Sequence, residues 1–178
     1  EMTSTVTFVE TPGFVGGENL PLPTGSSGSV IAGIRTGPAD DGIWGVAVAE
    51  LDGISLYRRS GASVLENISA ITAENCTRFV VAMMDQDDYD DVVAFCGSAE
   101  TRRIVVVRQN EDLTFSELVS IPIDYDVINL TTGLLNGDDF RDIAFTTTDD
   151  TYSTGIILST ATPLGDLDSW GEAGVYSG

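Results

Sequence analysis

Two acidic stretches, residues 85–91 (DQDDYDD) and 136–142 (NGDDFRD), hold the residue types best able to do chemistry in this chain. Closely spaced carboxylates, a side-chain amide and backbone carbonyls on one tight loop are the donors of a hard cation, which takes roughly six to eight oxygens at about 2.3–2.6 Å. The same Asp, Asn and Gly residues also build ion-free turns, because their side-chain oxygens accept nearby backbone N–H groups. Both uses stay open on the sequence alone. Other chemistry lacks its groups. The chain has 28 acidic residues, 8 basic ones and no His, and all the basic residues are Arg. No Ser-His-Asp or Cys-His nucleophile can be assembled, and there is no Lys for a Schiff base. Paired carboxylates alone can serve glycoside hydrolysis, but the acids here cluster in turn segments, and the expectation is a protein that is not an enzyme.

The acidic stretches occupy the same place in a repeated all-β unit. In the clearest copy, residues 77–84 (TRFVVAMM) and 92–96 (VVAFC) are apolar, β-rich runs on either side of the first acidic turn. Residues 104–108 (IVVVR) follow, then the alternating 113–119 (LTFSELV), which suits a half-exposed outer strand. That copy is one four-stranded antiparallel sheet. A later copy runs through 127–135, 143–147 (IAFTT) and 155–159 (GIILS), and Asp87 and Asp91 recur 51 positions on as Asp138 and Asp142. An earlier copy, with strands at 29–34, 44–49, 54–58 and 64–68, keeps only Asp40 and Asp41 of the acidic loop. Residues 6–10 (VTFVE) resemble the fourth strand at 113–117 (LTFSE) and read as an orphan outer strand, followed by a Gly/Pro/Ser-rich linker. The predicted organisation is an orphan strand plus linker over 1–27 and blades over 28–70, 71–122 and 123–178. A period near 50 residues signals a solenoid or propeller, and radially arranged four-stranded sheets close as propellers of roughly four to eight blades. The fold class expected is all-β, with about three four-stranded antiparallel blades of a β-propeller, either incomplete or completed by another chain.

Residues 136–145 (NGDDFRDIAF) are similar to the FG-GAP and VCBS repeat family, which includes the integrin α-subunit propeller and many secreted adhesive proteins. The family's first hairpin loop reads approximately D-x-[DN]-G-D-G-x-x-D before an apolar strand, and residues 85–93 (DQDDYDDVV) are a looser match. The resemblance covers about residues 28–170, and the two loops are its specific part. It implies Ca²⁺ on those loops, held by Asp85, Asp87 and Asp91 in one and by Asn136, Asp138 and Asp142 in the other. Both loops depart from the family pattern at its first ligand position, which falls on Met83 and Leu134. Each set is therefore one carboxylate short, which predicts the weak, millimolar calcium binding of extracellular modules.

A net charge of −20 repels nucleic acid and acidic membrane surfaces and favours cations and basic partners. No apolar run reaches the roughly 18 residues that a membrane-spanning helix needs, so the expectation is a soluble chain without membrane insertion. No charged and then apolar leader opens it. Cys76 and Cys96 flank a stretch that doubles back as a hairpin, which puts a disulfide within reach; two buried thiols are the alternative. Three N-x-S/T sequons, at Asn67, Asn75 and Asn129, are acceptors for glycosylation in a secretory pathway. With the acidic, Lys-free surface, these features lead to a secreted or cell-surface glycoprotein. Two functions follow. One is a non-catalytic extracellular structural or adhesion protein that assembles with itself or with a protein partner through open sheet edges, by strand exchange. The other is a calcium-dependent carbohydrate- or protein-binding module, in which Trp44, Trp170, Tyr57, Tyr89 and Tyr152 are candidates to stack on glycans.

Overall fold

A computed structural model describes residues 5–8, 18–21, 31–36, 43–50, 52–59, 65–85, 87–148, 154–159 and 174–176. Strands and turns without any helix make up these residues, and every strand pairing is antiparallel. Strands β1 (Thr5–Phe8) and β2 (Glu18–Pro21) form a separate pair. Sheet 1 is the meander β3 (Ile31–Thr36), β4 (Ile43–Glu50), β5 (Gly53–Arg59) and β6 (Leu65–Thr72). Sheet 2 follows as β7 (Arg78–Ala82), β8 (Asp91–Cys96), β9 (Arg103–Gln109) and β10 (Phe115–Pro122). Sheet 3 is β11 (Val127–Gly133), β12 (Asp142–Thr147), β13 (Thr154–Ile157) and β14 (Gly174–Tyr176).

Two expectations change here. The strand expected over 6–10 is not an orphan in its described part, because Thr5 lies opposite Pro21 and Phe8 opposite Glu18. The partner, β2, falls inside the segment read as a linker. Alternation of side chains specifies a strand but not its neighbour, and a nearby stretch closes a pair at less entropic cost than a distant blade does. Sheet 3 in turn takes its fourth strand from this chain's own residues, with Gly155 opposite Val175, so none of the three sheets waits for a strand from another chain.

Sheet 2 explains the stacking. All six residues of β8 are buried, which a strand achieves only when both of its faces are covered. Successive side chains point to opposite faces. Val92, Ala94 and Cys96, with Val105 and Val107 of β9, therefore pack on Ile34, Ala47, Ile54 and Leu56 of sheet 1. Val93 and Phe95, with Ile104 and Val106, pack the other way onto Val127, Ile143, Phe145 and Ile157 of sheet 3. Each Val, Leu, Ile or Phe among them contributes about 1.5–3 kcal/mol by leaving water. In sheet 3 the Phe145 ring lies over Gly155, where a Cβ would come within 2.1 Å of its Cζ.

Polar ties cross the same interfaces. Arg35 of β3 donates to the Asp90 carboxylate from its backbone N and its Nη2, both at 2.8 Å. Gln109 Nε2 donates to the backbone oxygens of Arg35 (2.8 Å) and Asp90 (2.9 Å). Between sheets 2 and 3, Arg78 Nε donates to the Ile128 carbonyl at 2.7 Å. Arg102 grips Asp126 with two bonds of 2.7 and 2.8 Å.

Cys76 and Cys96 are joined as a disulfide, so the two-thiol alternative is not the one realised. The bond ties the entry to β7 to the end of β8. Beside it, Thr77 N donates to Phe95 O and Gly97 N to Glu74 O, both at 3.0 Å. Gly97 holds φ +107°, and a Cβ there would sit 2.2 Å from Thr101 O, so the turn that brings Cys96 back requires glycine. Replacing both cysteines by Ala should lower the unfolding free energy by about 3 kcal/mol, from lost loop closure in the unfolded chain. Urea denaturation would report it as a lower midpoint with a somewhat steeper slope, because the unfolded chain is no longer cross-linked, and a double variant as stable as the parent would remove the disulfide from the account.

Candidate metal centre in the first acidic loop

The turn after β7 is built by its own carboxylates. Asp85 Oδ1 accepts the N–H of Asp87 at 3.2 Å, and Asp87 Oδ1 accepts that of Tyr89 at 2.8 Å. Asp91, fully buried at the start of β8, accepts Met84 N on Oδ2 (2.7 Å) and Gln109 N on Oδ1 (3.0 Å). One residue thus fastens the start of the loop and the end of β9 to the same strand.

The second loop repeats this wiring. Asn136 Oδ1 accepts Asp138 N at 3.1 Å and Asp138 Oδ1 accepts Phe140 N at 2.9 Å. Asp142 Oδ2 accepts Leu135 N at 2.7 Å and Asn136 N at 3.3 Å, while Oδ1 accepts Ser159 N at 2.9 Å. Val92 pairs with Val107 and Ile143 with Ile157, so Gln109 and Ser159 are equivalent positions and the latch is the same in both sheets.

The loops differ in charge. Asp85, Asp87 and Asp91 bring one oxygen each within 4.8 Å of one another, a group able to hold a metal ion. Arg108 faces this group: its Nε lies 3.1 Å from Asp85 Oδ2 and 3.8 Å from Asp87 Oδ2, close enough for an ion pair but not aligned as a hydrogen bond. In the second loop Asn136 stands in place of Asp85, and Leu158 stands in place of Arg108. The charge and its counter-charge are absent together. Asn136 Nδ2 instead donates to Asp138 Oδ2 at 2.7 Å. All six expected ligand residues therefore converge on two loops, but only the first loop gathers three carboxylates.

The Asp85, Asp87 and Asp91 set fits a hard cation in donor chemistry, on one condition. Arg108 already supplies positive charge at that place, so a metal ion has to displace it. Met83 and Leu134, at the first ligand position, are 37% and 57% exposed and offer no oxygen. Residues 85–91 would give an ion the three carboxylates and turn carbonyls, with water completing the shell. Sequence reasoning missed Arg108, Asp90 and Gln109, although the paired change at 85/136 and 108/158 was open to inspection once the two copies were aligned through β9.

The remaining sites are quickly placed. Asn67, Asn75 and Asn129 are all exposed, and Asn75 sits at φ +57°, a left-handed turn position that Asn tolerates. Tyr57 is buried and Tyr89 half-buried. Asp40, Asp41, Tyr152 and Trp170 lie outside the described residues, as does the Trp44 side chain. No family model, curated protein or solved structure matches the chain.

Burial raises the Asp91 pKa from 3.8 to about 7; the charges of Asp85 and Asp87 add to the rise, and the N–H donors of Met84 and Gln109 oppose it. Burial also raises Asp87, again with Asp85 adding. The folded state thus holds the Asp91 proton more tightly than the unfolded chain does. That stabilisation is complete below about pH 4 and is lost as pH rises through about 7, by at most about 4 kcal/mol. With chelator present, urea midpoints should fall between pH 4 and 7, and Asp91→Asn should flatten the slope. A profile identical in the variant would assign the titration elsewhere.

Proposed function

We propose that this chain is a non-catalytic module of an extracellular structural or adhesion protein, made of β-propeller-type blades similar to FG-GAP and VCBS repeats. The carboxylate latch that recurs 51 residues apart, Asp91 in sheet 2 and Asp142 in sheet 3, carries this reading. It makes the two sheets copies of one unit down to their loop wiring. Stacking supports it too: consecutive four-stranded meanders pack face to face, the first strands β3, β7 and β11 lie beside one another, and the last strands β6 and β10 touch. Blades set around an axis would follow that order. The most buried acids serve backbone N–H groups rather than a reacting centre, and the chain's lack of His and Lys leaves no common nucleophile and base pair.

The disulfide and three exposed sequons are compatible with a secreted location. Among the described residues no helix is long and apolar enough to cross a membrane. Partners, whether another protein or a second copy, would meet the chain at its sheet edges, because β6, β10 and β14 each pair on one side only among these residues. Donation of the strand expected over 6–10 is no longer the route, since Thr5–Phe8 pair with β2. Multi-angle light scattering on the native protein should find a mass above one chain; a monomer at all concentrations would remove self-assembly.

In the same reading the first loop takes Ca²⁺ through Asp85, Asp87 and Asp91, and Arg108 keeps that binding weak. Terbium luminescence or calcium calorimetry should give millimolar binding for the parent and roughly tenfold tighter binding for Arg108→Gln, since a positive charge about 3 Å from a carboxylate opposes an incoming cation. Equal affinities, or retained binding in Asp87→Asn/Asp91→Asn, would refute the assignment.

A further inference from the structure

A cleft of about 310 Å³ opens between the two acidic loops, lined by Met83, Met84, Asp87, Asp88, Leu134, Asp139 and Arg141. Its apolar part comes from a coincidence of the repeat. Met83 and Leu134 hold the same register position in the two copies, each replaces the carboxylate expected there, and the fold brings both to one cavity. On a chain of net charge −20, a Met 37% exposed and a Leu 57% exposed on facing loops are out of keeping with their surroundings. Flexible apolar side chains on an otherwise polar surface mark a place where something docks.

The rim names the chemistry. Asp88 and Asp139 are exposed and Asp87 half-buried, and among the described residues the only cation in the lining is Arg141. Arg108 stands nearby but faces Asp85 and Asp87. The volume is at the low end of ligand pockets, about 300–1,000 Å³, and matches one or two side chains rather than a sugar chain or a large cofactor. Among the described residues no aromatic ring lines the cleft to stack on a glycan. We propose that this cleft is a docking site for a basic segment of a partner protein, taking an Arg or Lys head between the Asp87, Asp88 and Asp139 carboxylates and a neighbouring aliphatic side chain on Met83 and Leu134. Long basic side chains suit such a place because their stems bury against apolar atoms while the head stays among charges.

The proposal deepens the adhesion reading by giving it a partner surface and can fail alone: a protein that assembles in light scattering yet ignores the peptide sinks only this site. The probe is a fluorescein-labelled peptide of alternating Leu and Arg, measured by anisotropy in physiological salt with chelator present. Its matched control replaces Arg by citrulline. The Leu-Arg peptide should bind and the citrulline peptide should not. Met83→Ser/Leu134→Ser and Asp88→Asn/Asp139→Asn should each weaken binding roughly tenfold, the scale of a lost anchor. Glu100→Gln/Asp124→Asn, which removes two charges at the opposite end of sheet 2, should leave it unchanged. All the exchanged side chains are exposed, and circular dichroism would confirm the fold of each variant. Failure of the peptide to bind would overturn the proposal. So would equal weakening by the distant charge pair, or insensitivity to Met83→Ser/Leu134→Ser, since either result reduces the effect to general attraction by a polyanion.

Discussion

Burial of sheet 2 on both faces is the constraint on which the rest of the molecule depends. A strand with no exposed residue cannot exist at the surface of a two-layer fold, so β8 obliges sheets 1 and 3 to cover it. The alternation of Val92, Ala94 and Cys96 toward one side, with Val93 and Phe95 toward the other, then fixes which strands meet. Once that stack forms, the chain must leave and re-enter sheet 2 in tight turns at its rim. The disulfide and the Arg102–Asp126 pair sit at its rim, while the acidic loops join the first two strands of sheets 2 and 3.

Buried carboxylates at the head of β8 and β12 answer a problem that stacking creates. Closing a sheet's end against its neighbour removes water from backbone N–H groups that no strand pairs, and an unpaired buried donor costs about 1–3 kcal/mol. Asp91 and Asp142 each satisfy donors from two separate segments, which a neutral side chain of this size could not do as well. The consequence is a concentration of negative charge where burial penalises it, visible in the raised Asp91 pKa. The two loops relieve it differently. Arg108 stands against Asp85 in the first; the second replaces the acid with Asn136 and needs no cation. Metal binding and folding therefore draw on the same carboxylates, and an ion must compete with Arg108 for a place the fold has already neutralised.

The elements most legible in the sequence were those whose partners are close in the chain. The strands of sheets 1 and 2, the turn after β7 and the Cys76–Cys96 bond all follow from alternation, turn residues and hairpin return. Long-range choices were not legible. Nothing in VTFVE distinguishes pairing with ENLP from pairing with a blade, and nothing near Gly174 marks it as the fourth strand of a sheet whose third ends at Ile157. Within the candidate site, the side chains reaching from their own loop to its neighbours could be named by comparing the copies. Arg108 arrives from a different strand, and its contact with Asp85 depends on the β8–β9 register, which only the folded chain sets.

The sequons add a condition on any closed assembly. Asn67 lies across from Tyr57, which packs with Val46, Val48 and Leu65 on the face of sheet 1 away from sheet 2. Asn129 lies beside Thr146, 3.4 Å from its hydroxyl, on the face of sheet 3 opposite Ile143 and Phe145. Asn129 thus sits on an outward face of the stack, whereas the buried Val46, Val48, Tyr57 and Leu65 around Asn67 show that the far face of sheet 1 is already covered; sheet 2 carries no acceptor within its strands. A glycan on Asn129 would stand where a further sheet would have to pack on sheet 3, because facing sheets approach to about 10 Å. Glycosylation at Asn129 and continuation of the stack past the outer face of sheet 3 would therefore exclude one another.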